Sequence, residues 1–273
     1  MERGGETGGG VILRPMSQAD LGEGFRLCRA SNWNQLEDDW RFFLDHGGAS
    51  LAEQDGAVVG SVGWLPFGDD FAWLSMMLVD PGARRGGIGS RLMEEALAAL
   101  KGQHVRLDAT PAGEPMYRKF GFLDEYRLAR TKVEGGGGRV SPNVRPIFPD
   151  DLPEIVARDR EVFGADRSAL LADLLHRGPD FAWIGRDAYC FGRPGHLFPQ
   201  IGPVVASNAS AAREIVEHCL ALFPGWSFVL DLPDRPDGLG FEVLRPFLRM
   251  SLGEVRRHGR PEHVFAITGP EFG

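Results

Sequence analysis

The sequence is poor in the residues that mark several large classes of protein, beginning with cysteine. Only three of its 273 residues are cysteines, Cys28, Cys190 and Cys219. They are odd in number and far apart, and none belongs to a CxxC pair. The sequence therefore predicts neither a disulfide framework nor a cysteine-rich zinc site, and it favours a reducing, cytoplasmic setting.

Long apolar runs are also lacking. No stretch approaches the ~20 apolar residues that a membrane-spanning helix needs, so we expect no membrane partner. The opening residues, MERGGETGGG, contain no apolar segment of the kind found in secretory signals. Their glycines instead predict a mobile tail over residues 1–10.

An excess of positive charge is absent as well. The chain has 30 lysines and arginines against 38 aspartates and glutamates, which gives a formal net charge of -8. This balance argues against a nucleic-acid partner, because such proteins gain affinity from many contacts with phosphates. None of the seven histidines lies in an HExxH motif or another paired ligand spacing, so we expect no metal site.

What the sequence does contain is one organised stretch, Leu74–Leu100. An apolar, strand-like run closed by Pro81 leads into a glycine-rich loop that carries Arg84 and Arg85. The next residues place apolar side chains at helical spacing, at Leu92, Met93, Ala96, Leu97 and Leu100. A strand, a glycine loop and a helix N-terminus together favour an anion, because the loop amides point outward and the helix dipole attracts negative charge.

The order of elements around this stretch predicts the fold class. Asp55-Gly56 is a strong hairpin signal between two predicted strands. Up to residue 131 we expect, in order, a strand, two helices, three strands, a helix, a strand, a short helix and a strand. This order predicts an α/β fold with a mixed sheet, antiparallel in its first half and crossing over in its second.

An internal repeat is also visible. Leu13–Leu21 resembles Val144–Leu152, and Phe120-Gly121-Phe122 has a counterpart in Leu239-Gly240-Phe241, each opening a strand that ends on Arg. With matches this short, chance similarity is the alternative. The glycine run Gly135–Gly138 separates the two copies. We therefore predict domains at residues 11–134 and 143–273, joined by a glycine-rich linker at 135–142.

Only the first copy has a phosphate loop. Residues 84–90 fail the Walker A pattern, because no lysine follows the glycines, and they fail the dinucleotide pattern, because Leu92 stands where its last glycine would be. They match R-x-x-G-x-G after a strand that ends in a proline turn. No such loop precedes the helix predicted from Ala211 in the second copy.

These residues resemble the GNAT superfamily of N-acetyltransferases. Val79-Asp80-Pro81 and Arg84–Gly89 look like its acetyl-CoA motif, and Met116–Phe122 looks like its second motif. The likeness covers about residues 11–131, and the second half resembles a degenerate partner domain found in tandem members. Trp33-Asn34-Gln35 and the segment from Leu107 to Gly113 are similar to parts of a bacterial two-domain subgroup. The resemblance implies two tandem GNAT-like domains, each a twisted mixed sheet flanked by helices.

The resemblance also implies acetyl-CoA as the co-substrate, with no metal. Its pyrophosphate would contact the loop residues Arg84, Arg85, Gly86, Gly87, Ile88, Gly89 and Ser90. Its pantetheine arm would pair with the main chain of Met77, Leu78 and Val79. The alternatives are a solvated charged turn for the loop and a plain core strand for the other three residues.

For the chemistry, the resemblance assigns Tyr117 to protonate the CoA thiolate. The general base is open: Asp108 is the nearest carboxylate by topology, a buried hydrogen-bonded Asp is the alternative role for it, and a water relay is equally open. Trp33, Asn34 and Gln35 are the candidate acceptor contacts, with Ser75 the polar side chain on the strand before the loop. Each of these residues could instead serve only packing.

We therefore expect a cytoplasmic N-acetyltransferase that moves acetyl from acetyl-CoA to a primary amine of a small molecule. The second domain would shape the acceptor pocket or mediate dimerisation, and a homodimer is left open. The alternatives are a non-catalytic acyl-CoA-binding sensor or interaction module, and an enzyme for longer acyl chains. The acceptor itself is not identified by the sequence.

Overall fold

The computed structural model describes residues 10–234 and 238–273, so the predicted tail, apart from Gly10, lies outside the described residues. Contacts divide the described chain into two compact units. The first comprises the residues up to Leu65 together with Met76–Lys101, and the second comprises Pro66–Ser75 together with Gly102–Gly273. Among the described residues, no helix is both long and apolar enough to cross a membrane.

The first unit contains the start of the chain and the organised stretch. Its strands are β1 (Ile12–Pro15), β2 (Gly48–Gln54), most of β3 (Ala57–Phe67) and the end of β4 (Phe71–Val79), and its helices are α1 (Leu21–Ala30), α2 (Glu37–His46) and α3 (Ile88–Ala99). The strands lie in the order β1-β2-β3-β4, with β1, β2 and β3 antiparallel. The hairpin predicted at Asp55-Gly56 is confirmed by the pairing of Gln54 with Ala57.

Each helix of this unit buries the side chains that its apolar spacing selects. Leu27 and Cys28 of α1, and Trp40 and Phe43 of α2, are almost fully buried. Gly24 lets α1 approach α2, because a Cβ there would lie 2.8 Å from the Trp40 ring. In α3, the buried side chains are Ile88, Leu92, Met93 and Ala96.

The second unit has more strands. They are β5 (Val105–Ala109), β6 (Phe122–Glu134), β7 (Arg145–Pro146), β8 (Trp183–Ile184), β9 (Ala188–Arg193), β10 (Gln200–Ala206), β11 (Ser227–Pro233), β12 (Glu242–Leu252) and β13 (Val264–Ala266). Its helices are α4 (Glu114–Lys119), α5 (Leu152–Phe163), α6 (Ser168–Arg177) and α7 (Ala209–Ala221). Starting from Phe71–Ser75 of β4, the strand order is β4-β5-β12-β6-β11-β10-β9-β8-β7, with β13 beside β10. The predicted mixed α/β class is confirmed.

Strand β12 is placed where the sequence gives no hint of it. It lies between β5 and β6 and runs antiparallel to both. Strand β6 in turn lies between β12 and β11. The long strand at the end of each repeat is therefore hydrogen-bonded to strands from the other repeat.

Two buried ion pairs join the exchanged strands to their neighbours. Arg249 of β12 stands directly opposite Asp108 of β5 and donates both Nε and Nη2 to its carboxylate at 2.8 Å. Arg130 of β6 stands opposite Asp231 of β11 and donates in the same way, at 2.8 and 2.7 Å. Arg130 follows Phe122, the first residue of β6, by eight residues, and Arg249 follows Phe241, the residue before β12, by the same number. The repeat in the sequence therefore has a structural counterpart.

A second repeated device lies near the start of each copy. Arg14 pairs with Asp20, whose carboxylate accepts a hydrogen bond from the Ser17 amide at 2.8 Å. Arg145 pairs with Asp151, which accepts from the Phe148 amide at the same distance. The Arg145 guanidinium, aided by that amide, lowers the pKa of Asp151 to about 2. The aspartate thus caps the same turn in both copies.

The glycine run packs against the end of α7 and the residues that follow it. The amide of Gly135 donates to the Trp226 carbonyl and that of Gly136 to the Leu220 carbonyl, both at 2.7 Å. A Cβ on Gly138 would lie 2.9 Å from the Glu217 carbonyl oxygen. The run is therefore an ordered, packed connection. The domain boundary drawn at residues 135–142 stays a prediction.

The buried pairs make a stability prediction. Arg130→Met should lower the free energy of unfolding by about 3–5 kcal/mol, because it leaves the Asp231 carboxylate buried without its partner. Arg145→Gln is the matched control, since it removes an arginine from an exposed pair with the same geometry. Chemical denaturation of both variants measures the difference. Equal transitions for Arg130→Met and the wild type would contradict the assigned role of the pair.

Candidate functional site

The first unit presents an exposed loop between β4 and α3. After Val79, the amide of Asp80 donates to the Val59 carbonyl at 2.8 Å, which ties the end of the strand to β3. The Asp80 carboxylate then accepts from the Gly82 amide at 3.2 Å and caps the turn over residues 81–83. The residues of the loop proper, Arg84 to Gly87, are all exposed to solvent.

The backbone of this loop alternates in handedness. Arg85 and Gly87 have left-handed φ values of +68° and +79°, whereas Arg84 is extended at -67°. Such alternation turns successive amides toward one side and forms a concave site for an anion. Gly87 is also the N-cap of α3, and no side chain caps the helix there. The first amides of α3 therefore have no acceptor within the helix.

The charges of the loop suit the same kind of ligand. The Arg84 Nε donates to the Val79 carbonyl at 3.1 Å, which leaves both of its terminal nitrogens for a ligand or solvent. Arg85 and Ser90 are exposed. Two guanidinium groups, a helix N-terminus and a glycine with no Cβ fit a diphosphate such as that of CoA. The sequence-predicted phosphate residues are thus brought together.

The strand before the loop is irregular. Met76 has a left-handed φ of +52°, which is uncommon for a residue with a side chain, and Ser61 Oγ donates to its carbonyl at 2.9 Å. Met77 and Val79 are half-buried, whereas Leu78 is buried. Strained residues of this kind concentrate at functional sites. This is the segment to which the sequence assigns the pantetheine arm.

In the second unit, Tyr117 lies on the short helix α4 with 8% of its surface exposed. Its ring lies 5.9 Å from the ring of Phe122, centroid to centroid. Gly113 makes room for it, because a Cβ there would be 2.9 Å from the Tyr117 ring. Burial raises the pKa of Tyr117 well above its usual range. The hydroxyl therefore keeps its proton at neutral pH.

Asp108 has a structural role that the sequence left open. Both of its oxygens accept from Arg249, whose Nη1 also donates to the Tyr126 hydroxyl at 2.7 Å. Burial raises the pKa of Asp108, and the Arg249 guanidinium opposes that rise. A carboxylate held on both oxygens by an arginine is poorly placed to accept a proton from an amine. This pair weakens the prediction that Asp108 is the general base.

In the predicted acceptor segment of the first unit, the two residues with side-chain amides are buried. Asn34 and Gln35 are only 2% and 3% exposed, whereas Trp33 is half-buried. The chain reaches this segment through Asn32, which has a left-handed φ of +53°. Asn34 and Gln35 therefore shape the link between α1 and α2. Their contact with an acceptor stays a prediction.

Ser75 and its neighbour Trp73, in the second unit, contact a segment that sequence reasoning missed. Ser75 Oγ donates to the Glu271 carbonyl at 3.1 Å, and Trp73 Nε1 donates to the Pro270 carbonyl at 2.9 Å. The Glu271 side chain is itself buried in an ion pair with Arg193. Nearly two hundred residues separate these partners, and no local pattern announces their contact.

The counterpart of the loop region in the second repeat is closed. Strands β10 and β11 run parallel and share the register pair of Gln200 with Val229. Farther along, β13 pairs with β10, and Ile267 bridges to Asp231 of β11. At the start of α7, the Asn208 side chain accepts from the Ala211 amide and caps the helix. Among the described residues, the strand and helix at this position therefore differ from β4 and α3, because β13 pairs with β10 and Asn208 caps α7.

A cluster of metal-ligating side chains is absent from the part of the chain that the structure describes. Within residues 10–234 and 238–273, no three or more His, Cys, Asp or Glu side chains are grouped so that they could hold a metal ion.

Comparison with protein families matches both halves of the chain. Residues 41–123 match one model of an acetyltransferase (GNAT) domain, and residues 155–266 match a second model with the same description. The first match contains the exposed loop and Tyr117, and the second contains β9, β10, α7 and the whole of β12.

Two curated relatives align with most of the chain. A holothin acyltransferase from Pseudoalteromonas sp. (strain SANK 73390) is 27% identical over 266 residues, which cover 89% of this chain and 88% of that protein. The uncharacterized N-acetyltransferase YitH of Bacillus subtilis (strain 168) is 24% identical and covers 78% of this chain and 79% of its own length.

Solved structures share the fold along its whole length. A protein from Pyrococcus horikoshii aligns with a TM-score of 0.82 at 22% identity, over 100% of this chain and 99% of its own. A GCN5-related N-acetyltransferase from Sphaerobacter thermophilus aligns with a TM-score of 0.64 at 14% identity, over 92% and 96%. At these identities the likeness shows the fold alone.

Two glycines of the loop provide a matched test of its conformation. Gly87→Ala should destabilise the protein by about 1 kcal/mol and weaken CoA binding, because alanine disfavours the left-handed φ at this N-cap. Gly82→Ala should change neither property appreciably, since its Cβ would meet only Asp80 Oδ1, at 3.8 Å. Denaturant unfolding and CoA titration measure both effects. Similar behaviour of the two variants would refute the assigned role of Gly87.

Proposed function

The chain belongs to the GNAT acetyltransferase family and carries two of its domains in tandem, and from that premise we propose that it is an N-acetyltransferase acting on a primary amine of a small molecule. Acyl transfer follows from the family. The finer proposal names acetyl-CoA as the donor and places its binding in the first unit, at the loop between β4 and α3.

The observation that carries this proposal is the geometry of the exposed loop. It offers outward amides, an uncapped helix N-terminus and the guanidinium groups of Arg84 and Arg85. These groups suit the pyrophosphate of CoA better than a single carboxylate, because a diphosphate spreads its negative charge over several oxygens that can each accept a hydrogen bond. The Ser90 hydroxyl on the first turn of α3 would add one more donor.

We further propose that the pantetheine arm lies along Met77–Val79 as an added strand. Main-chain groups would hold the arm by the hydrogen bonds that a neighbouring strand would make. The left-handed turn at Met76 supports this, because it bends the strand just before these residues. The register pairs of β4 with β5 are confined to Ala72 and Trp73, at the start of the strand.

In the proposed reaction, the neutral amine attacks the thioester carbonyl. A C–N bond forms, the C–S bond breaks, the nitrogen loses a proton and the departing thiolate gains one. Tyr117 would donate the proton to sulfur and be reprotonated from solvent. Its phenol, with an unperturbed pKa near ~10, is protonated at neutral pH, and burial raises this pKa further, so a proton is available for the thiolate, whose conjugate acid lies near ~8.5.

For the proton on nitrogen, we propose a water relay to solvent. The Asp108 carboxylate is already held by Arg249 on both oxygens. When part of the amine is already neutral at the working pH, water can carry the proton from nitrogen to solvent. No strongly basic side chain is then needed. In this proposal Tyr117 is the side chain that acts directly on a reacting atom.

The nature of the acceptor is supported by one relative. The holothin acyltransferase, 27% identical along 89% of this chain, acts by its name on holothin. A relative with a named compound as its acceptor favours a small molecule over a protein N-terminus here. Half-buried Trp33 is the residue that we propose to contact the acceptor, since an indole suits both an apolar face and a polar group.

An amine panel tests the proposed activity. The purified chain is mixed with acetyl-CoA and with amino acids, polyamines, aromatic amines and a peptide N-terminus, and CoA release is followed with a thiol reagent. We expect turnover with at least one small-molecule amine. Binding of acetyl-CoA without turnover of any amine would contradict the proposal and support the acyl-CoA-binding sensor.

Tyr117→Phe tests the proton donor. We expect kcat to fall about 100-fold with little change in the KM for acetyl-CoA, because the substitution removes only the acidic proton. Tyr189→Phe is the matched control: this tyrosine is also buried, its hydroxyl donates to Asp159 at 2.6 Å, and the proposed reaction gives it no role. A rate for Tyr117→Phe within a few-fold of the wild type at all pH values would remove Tyr117 from the mechanism.

The pH profile gives an independent check. Because burial raises the pKa of Tyr117, the wild-type kcat should show no alkaline fall up to about pH 10. The rate should instead rise with pH as the amine becomes neutral. A decline that begins between pH 7 and 9 and disappears in Tyr117→Phe would contradict the buried, protonated state of this hydroxyl.

A further inference from the structure

The anion-binding loop of the first unit is held by an ion pair that reaches it from helix α1. Arg26 Nη1 donates to Asp80 Oδ2 at 3.1 Å, and Arg26 Nη2 donates to the Val58 carbonyl at 2.6 Å. Its Nε donates to Glu23 at 2.7 Å, which fixes the guanidinium on the helix. One side chain therefore connects α1, β3 and the residue that opens the loop.

Asp80 places a carboxylate directly before the proposed phosphate loop. Its carboxylate is needed as the cap of the turn, where it accepts from the Gly82 amide. That hydrogen bond, followed by Arg26, lowers the pKa of Asp80, and Arg84 adds to the effect. The group is thus ionised at neutral pH and lies within electrostatic reach of the loop. Unopposed, its negative charge would repel a diphosphate.

We propose that Arg26 is a positioning residue for the acyl-CoA site: it cancels the charge of Asp80 and fixes the turn that presents the loop amides. This inference rests on the proposed function, because it assigns Arg26 to the same binding event. Arg26 does not touch the reacting atoms. Its effect is on the affinity for the donor and leaves the rate of the saturated enzyme unchanged.

Arg14 offers a control in the same surroundings. Arg26 and Asp80 line a surface groove of about 530 Å³, and Arg14, Asp20 and Glu53 line it as well. Arg14 resembles Arg26 in pairing with two carboxylates, at 2.7 and 2.8 Å, and in being partly exposed. Of its two partners, Asp20 caps the turn after β1 and Glu53 lies on β2, and within the described residues neither is paired with the loop. Loss of Arg14 therefore reports on an ordinary ion pair in similar surroundings.

Calorimetric titration with CoA separates charge cancellation from a general loss of structure. Arg26→Gln should weaken CoA binding about fivefold, because the partly exposed carboxylates of Asp80 and Glu23 then lose the cation between them. Asp80→Asn should bind within about twofold of the wild type or more tightly, because asparagine still caps the turn. The double variant Arg26→Gln/Asp80→Asn should recover to within about twofold, and Arg14→Gln should not differ from the wild type.

Kinetics adds the second measurement. In Arg26→Gln the KM for acetyl-CoA should rise by about the same factor, whereas kcat with both substrates saturating should stay within about twofold. Wild-type affinity in Arg26→Gln, or a double variant that stays as weak as Arg26→Gln, would overturn the inference. Wild-type protein that does not bind CoA would instead overturn the proposed function, so the two failures are distinguishable.

Discussion

The second unit depends on two buried arginine–aspartate pairs between neighbouring strands. Arg249 with Asp108 joins β12 to β5, and Arg130 with Asp231 joins β6 to β11. In each case the two residues stand directly opposite each other in the strand register. A buried charge must meet its partner, and a shift of one residue would turn every side chain of the strand to the other face. The pairs therefore specify which strand lies where.

This constraint explains why two similar halves form one interleaved sheet in the second unit. Each half supplies an aspartate on its shorter strand and an arginine on its long final strand. Because each aspartate meets the arginine of the other half, neither half completes its own sheet alone. In the second unit, the two similar halves of the sequence therefore exchange their long final strands.

The same constraint limits the chemistry. Asp108, the carboxylate nearest by topology to the proposed reaction, is used to hold β12 in place. Strand β13 fills the space beside β10 in the second repeat, and α7 begins with its own asparagine cap. Within the described residues, the proposed acyl transfer would therefore use main chain, the buried phenol of Tyr117 and the exposed loop after β4. Such a set of groups favours catalysis by positioning.

Local features of the fold were predictable from the sequence, and non-local ones were not. The hairpin at Asp55-Gly56 and the apolar stripe of α3 follow from turn chemistry and helical spacing, which act over a few residues. The loop at residues 84–90 was identified from its own motif. The insertion of β12, the contact of Ser75 with Glu271 and the pairing of Asp108 with Arg249 join residues more than 100 positions apart. The periodicity of the sequence does not identify such distant partners. The equal spacing of Arg130 from Phe122 and of Arg249 from Phe241 nevertheless marks the two arginines as equivalent.

We propose that this chain, with its two acetyltransferase domains, has one donor site, formed by the loop after β4. Titration calorimetry of the purified protein with acetyl-CoA, in the absence of an amine, measures this directly as a stoichiometry. We expect one acetyl-CoA per chain. A stoichiometry of two would contradict the closed state of the second repeat, and no binding at all would contradict the assignment of the loop.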